Sequence, residues 1–500
     1  MITLDGSSLT LDAVAAVARA RAPVEVSPEA ARRATASRAR VEAAVARGAS
    51  IYGVNTGFGK LAHVRIPADQ LLELQRNLIL SHAAGVGDPL PADVVRATMV
   101  LRANVLLRDT SGVRPVVAER LVALLNAGIH PIVPEQGSVG ACGDLAPLAH
   151  IALPLLGEGD VEVESAGTRT RMPARDALAR AGIAPLTLEA KEGISFINGT
   201  QAQTAVLALL VHDARRLWRT AHGAAAMSLE ALRGTPDPFD ARVHAARPHP
   251  GQVASAALLR ELLTDSEIRE SHRENDPRVQ DAYSLRCTPQ ILGPVHDAIA
   301  FAAQIAETEL NASTDNPLVF GEEILSGGNF HGQPVAMALD VLAIALTTLA
   351  GIAERRVERL LNPDLSQGLP AFLAPQPGVQ SGFMMVQVTA AALVAESRTL
   401  CTAASVQSIP TDANQEDVVP MGMAAAFKAR RVLGNAQRVV AAELLCAAQG
   451  LDLLRPLRAG RGVEPLHARV RQVVAPLTGD RPVAPDLDAL FALITREALL

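Results

Sequence analysis

The sequence predicts a mainly α protein: a long central helical bundle with an irregular N-terminal domain carrying a glycine-rich loop. From about residue 200 onward, Ala and Leu recur at helical spacing in segments well beyond the mean helix length of about 11–12 residues. The first 200 residues are broken instead by Gly and Pro, at 53–59, 85–91 and 131–143. The 500-residue chain is 49% hydrophobic but only 3% aromatic, so a large core has to be packed from Leu, Val, Ile and Ala. The division expected is residues 1–200 for the N-terminal domain and 201–500 for the bundle.

In chain order, the N-terminus Met1-Ile2-Thr3-Leu4-Asp5-Gly6 has no basic stretch followed by an apolar run, which predicts a cytoplasmic protein. Val161-Glu162-Val163-Glu164 and Thr168 to Met172 read as a small hairpin. Asp144 reads as a cap for the helix that follows it. Long helices are expected over Gln201–Leu217, Pro294–Leu310, Pro334–Leu361, Gly382–Cys401 and Met423–Gly450, with Pro334 in a first turn and Gly450 after a last one. The apolar run from Val341 to Ile352 falls short of the roughly 20 residues that span a bilayer, so it reads as a helix inside protein. Its flanking Asp340 and Glu354 read as inter-helix ion pairs or surface positions, and Arg355-Arg356 as a solvated face.

A net charge of −6 without a Lys/Arg block excludes a dedicated nucleic-acid binder. The four cysteines neither pair as C-x-x-C nor suffice for a disulfide framework. His150, His296 and His331 show no ligand spacing with a carboxylate, so no metal is expected.

Several short polar segments are not demanded by helix packing: Tyr52 to Gly59, Ser81 to Gly85, Gly137 to Asp144, Ile197 to Gln201, Gln280 to Cys287, Gly327 to Gln333 and Asn414 to Asp417. Both tyrosines of the protein, Tyr52 and Tyr283, fall within them. The glycine-rich run at 137–143 lacks the Gly-Lys-Ser/Thr ending of a phosphate loop, and Asp144 breaks the pattern of a nucleophile elbow. The peptide itself offers another chemistry. If the Gly143 nitrogen reaches the Ala141 carbonyl carbon, a five-membered ring closes. Loss of the Cys142 sulfur as hydrogen sulfide then leaves an exocyclic methylene. Glycine at 143 leaves room for so tight an approach.

Gly-Ser-Val-Gly-Ala-Cys-Gly-Asp-Leu-Ala-Pro-Leu-Ala-His at 137–150 resembles the signature of the aromatic amino acid ammonia-lyases, and the other motifs follow in the family's order from about Tyr52 to about Asp452. The family normally carries serine at the position of Cys142. The resemblance implies a methylidene-imidazolone electrophile made from Ala141, Cys142 and Gly143, with no dissociable cofactor. It also implies a homotetramer whose active sites are each built from three subunits. By the same resemblance, Tyr52 and Tyr283 stand at the reaction centre and either could be the base. Asn198 donates to the imidazolone oxygen, Arg286 clamps the substrate carboxylate, and Gln280 and Asn329 support that end, beside Phe330.

Ser81-His82 and Asn414-Gln415-Glu416-Asp417 are similar to the segments of the histidine-deaminating members, with Glu416 facing an imidazole and Gln415 beside it. The implied reaction is L-histidine to urocanate and ammonia. Two departures from that pattern, Val418 after Glu-Asp and Gly332-Gln333 after Asn-Phe-His, keep tyrosine or phenylalanine deamination, or a 2,3-aminomutase outcome, as alternatives. An uncyclised, catalytically inert oligomer is the alternative of another class.

Overall fold

The computed structural model describes residues 1–165 and 167–500. Helices dominate it, with strands confined to short two- and three-stranded sheets, in agreement with the mainly α expectation. The chain forms two compact units, neither continuous in sequence. The first comprises Met1–His212, Ala302–Asp340 and Ala403–Phe427; the second comprises Asp213–Phe301, Val341–Thr402 and Lys428–Leu500.

At the heart of the first unit lies the Ala92–Leu106 helix, in which every residue except Asp93 is buried. Its inward cations serve the ends of neighbouring helices, where carbonyls lack intrahelical partners. Arg96 donates to the carbonyls of Val17 and Leu125, at 2.9 and 3.0 Å, in the last turns of the Leu11–Arg19 and Pro115–Asn126 helices. The expected hairpin is present as antiparallel strands Asp160–Ser165 and Thr168–Pro173, in register Val161 to Met172, with Ile129–Pro131 as a third strand. Asp340 is buried in this unit and accepts from the Ser405 backbone N–H at 2.8 Å, so it is not a surface position.

All five expected long helices are present, as Gln201–Ala231, Thr288–Glu309, Gln333–Leu361, Met384–Thr399 and Gly422–Asp452. Two of their expected ends are corrected. Pro294 lies inside its helix, which begins at Thr288; the Trp218 indole donates to the Leu292 carbonyl at 2.8 Å, bracing the turn that the proline weakens. Gly450 does not stop its helix. A Cβ there would come within 2.8 Å of the Ala231 Cβ, so this glycine serves a close helix crossing.

Arg356 is also corrected. It is fully buried in the second unit and forks onto Glu443 at 2.5 and 2.9 Å, while Ser228 donates to the same carboxylate at 2.8 Å. Glu354, likewise buried, accepts from Gln387 at 2.9 Å and pairs with Arg355. The Gln333–Leu361 helix is long and apolar enough to cross a membrane, with a mean hydropathy of 2.1, but 72% of its most apolar window is buried inside protein, as in a core helix.

Candidate active site

The Leu71–His82 helix places Leu74, Asn77, Leu78, Ser81 and His82, three and four residues apart, along one face of a cavity of about 560 Å³ in the first unit. Tyr52, Phe58, Cys142, Asn198, Asp412 and Glu416 complete its polar and aromatic lining. Among the described residues no group of three or more His, Cys, Asp or Glu is placed to hold a metal.

The glycine-rich segment folds back on itself, Gly140 bridging to Gly143. Gly143 has φ +74°, and a Cβ on it would overlap the backbone of Gly199. Only glycine fits. The Asp144 N–H donates to the Gly199 carbonyl at 2.8 Å, and the Asn198 amide Nδ2 donates to the Cys142 carbonyl oxygen at 3.0 Å. Asp144 occupies the cap position of the Leu145–Ala152 helix without capping it. Its carboxylate accepts instead from Ser138 Oγ at 2.8 Å and from the Gln203 backbone at 2.9 Å, so it ties the loop to the next helix. Burial raises its pKa to about 6 despite those bonds.

His82 Nδ1 lies 2.8 Å from the Leu78 carbonyl, an arrangement that puts the proton on Nδ1 and leaves Nε2 as an acceptor. Burial lowers its pKa, against the opposing pull of Asp412 and Glu416, so the imidazole is neutral at pH 7. The Tyr52 hydroxyl accepts the Gly59 N–H at 3.1 Å. Burial is the largest influence on Tyr52 and raises its pKa, with Cys142, Asp412 and Glu416 adding to the rise. A tyrosine acting as a base near neutrality needs a pKa below its ordinary value; within this chain the surroundings act the other way. Burial and the adjacent Glu416 carboxylate also push the Cys142 thiol up, so it is not a thiolate. Thr411 donates to Glu416 at 2.5 Å.

The Glu416 segment is strained. Asp412, Ala413 and Asn414 take φ values of +47°, +51° and +64° in succession, a left-handed run that costs about 1–2 kcal/mol per non-glycine residue. Ala413→Gly is therefore expected to raise the unfolding free energy by about 1 kcal/mol. A denaturant midpoint that does not increase would count against that strain.

Of the residues singled out in the sequence, Tyr52, His82, Cys142, Asn198 and Glu416 line the one cavity. Gln280, Tyr283 and Arg286 belong to the second unit. There Tyr283 is 68% exposed and the Arg286 guanidinium carbon lies 4.7 Å from its ring centroid. Asn329 and Gln415 are exposed and Phe330 is half-buried; none of the three lines the cavity, and Asn329 donates to the Ser313 carbonyl at 3.2 Å.

Sequence reasoning missed Asp412, which accepts the Lys60 N–H at 3.1 Å across 352 residues of chain and so has no local signal. The lining face of the Leu71–His82 helix was legible in its 74, 78, 82 spacing but was not used. Neither departure from the histidine pattern lines the cavity. Val418 offers its carbonyl to His331 at 3.1 Å, and Gln333 donates to the Ser405 carbonyl at 3.2 Å.

A helical fold with this loop and cavity defines a class, and comparison with known proteins identifies it: residues 9–472 match the aromatic amino acid lyase family. The chain belongs to that family and is a carbon–nitrogen lyase. It is 53% identical over 504 residues to the histidine ammonia-lyase of Anaeromyxobacter sp. (strain K), covering 100% of this chain and 99% of that protein. Among solved structures, histidine ammonia-lyase from Trypanosoma cruzi superposes with a TM-score of 0.92 at 45% identity, covering 100% of this chain and 94% of that one. Tyrosine aminomutase from Streptomyces globisporus superposes at 0.93 with 41% identity, covering 99% and 97%.

Proposed function

We propose that this protein, acting in the cytoplasm, removes ammonia from L-histidine to give trans-urocanate. The observation that carries this reading is that neutral His82 and Glu416 share one cavity with a Cys142 carbonyl oxygen already held by Asn198. An imidazole ring fits between such an acceptor and such a carboxylate.

The residues present also fit a 4-methylidene-imidazol-5-one formed from Ala141, Cys142 and Gly143. The chain reverses at that point, Gly143 alone tolerates the contact with Gly199, and the oxygen that Asn198 binds belongs to the carbonyl that would become the ring carbonyl. Condensation joins the Gly143 nitrogen to the Ala141 carbonyl carbon with loss of one water, and Cys142 loses its sulfur as hydrogen sulfide. The finished group supplies an electrophile that draws electrons from a captured substrate and so eases departure of the amine.

The chain's own groups do the remainder. Asn198 steadies negative charge on the Cys142 oxygen. Tyr52 is the hydroxyl in the cavity able to accept the β-proton, Tyr283 being the other candidate. Arg286, with Gln280 and Asn329, binds the substrate carboxylate, a planar fork suiting that anion; Phe330 and Gln415 belong to the substrate side.

The family resemblance implies a homotetramer with each site built from three subunits, and the position of Gln280, Tyr283 and Arg286 outside the cavity lining supports completion of the site by neighbouring copies. The exposed apolar side chains of Met337, Ile344, Met385 and Val388 give the subunits surface to bury. The intact mass of the purified protein should lie below that of the sequence by one water and one hydrogen sulfide, and L-histidine, not L-tyrosine or L-phenylalanine, should be converted. An unchanged mass would remove the electrophile. A β-amino acid product would replace the lyase outcome with an aminomutase one.

A further inference from the structure

Asn198 and Gly199 grip the glycine-rich loop from one side, through the Cys142 carbonyl and the Asp144 N–H. What holds them in place is a buried cation from another helix. The short Glu192–Ile197 helix ends in Asn198, whose N–H donates to the Ile194 carbonyl. Arg102, with no exposed surface, donates from Nη2 to the Ser195 carbonyl of that helix and from Nη1 to Gln201 Oε1 at 2.5 Å. Its fork thus spans the turn from 195 to 201. Gly199 sits directly against it, since a Cβ there would overlap both Arg102 Nη1 and Gln201 Oε1. Gln201 is fixed in turn by donating to Thr314 Oγ1 at 2.8 Å.

At the helix's other end, buried Lys191 donates to the Ser111 carbonyl and Ser195 Oγ, each at 2.6 Å, and to Asp315 at 3.2 Å. Asp315 pairs with Lys191 and acts on Arg102 only through space. Apolar side chains of similar volume often stabilise a fold as well or better than buried ions do. Arg102 remains charged at neutral pH, although burial lowers its pKa to about 10. Ring closure needs the Gly143 nitrogen close to the Ala141 carbonyl carbon, and a tight turn reacts only when its walls do not yield.

We propose that Arg102, which does not line the cavity, is the positioning residue for maturation: its two-pronged grip on Ser195 and Gln201 presses the Asn198-Gly199 turn onto Ala141-Cys142-Gly143 so that they condense. This rests on the condensation reading above. The test is intact mass followed with time after synthesis, alongside thermal unfolding. The wild type should lose one water and one hydrogen sulfide. Arg102→Lys keeps the charge but not the fork, and Gln201→Met keeps the charge but frees one prong. Each should process about tenfold or more slowly, as expected for a lost charge-assisted hydrogen bond.

Leu445→Ala, a buried site in the second unit, is the control for stability alone. Normal processing in that control at a similar loss of thermal stability supports the proposal. Equal slowing in the control, or wild-type processing rates in folded Arg102→Lys and Gln201→Met, overturns it. An unprocessed wild-type mass overturns the condensation itself, a result distinct from either.

Discussion

Tyr52→Phe is expected to lower turnover of L-histidine by about 10²–10⁴-fold, the range lost when a positioned proton-transfer group is removed. The fold should survive, because among the described residues the hydroxyl gives up a single bond, from the Gly59 N–H at 3.1 Å. The wild-type pH profile should carry the same signature. Burial first, then Asp412 and Glu416, hold the Tyr52 pKa above its ordinary value, so the phenol is protonated at neutral pH and the base form grows as pH rises. The rate should accordingly climb toward alkaline pH, and Asp412→Asn, which removes one of the carboxylates, should move that limb to lower pH. A Tyr52→Phe protein that retained near wild-type turnover would exclude Tyr52 as the base and leave Tyr283 as the candidate.

Arg356→Met is expected to cost about 3–5 kcal/mol of stability. Glu443 would keep only Ser228 as a partner in a fully buried place, and an uncompensated buried carboxylate is far more costly than the intact pair is favourable. Replacing both members, Arg356→Met with Glu443→Leu, should recover most of the loss. Denaturant unfolding of the two single variants and the double checks this, and additive losses in the double would contradict the pairing.

Much of the chemistry was legible from local sequence. Gly143 is dictated by its own backbone angle, Tyr52 and Cys142 stand in segments that helix packing does not require, and the long Ala/Leu helices declare themselves by periodicity. Other features were hidden because their causes lie far away in the chain. Nothing near Gly450 announces the Ala231 contact that makes it a packing residue, and nothing near Arg356 announces Glu443. The reading of Asp144 as a cap failed in part for the same reason, since one partner, Ser138, is local but the other, Gln203, lies 59 residues on.

By itself the sequence determined the helical class, the Ala141-Cys142-Gly143 tripeptide proposed to condense and the set of polar segments around it, because backbone conformation and periodicity are local properties. Only the tertiary structure decided that Asp412 and Glu416 join Tyr52, His82 and Asn198 at one cavity. It alone showed that burial, with Asp412 and Glu416, raises the tyrosine's pKa and that Arg102 lies beneath the turn. Electrostatic and steric effects depend on distance in space, and that distance appears only once the chain has folded.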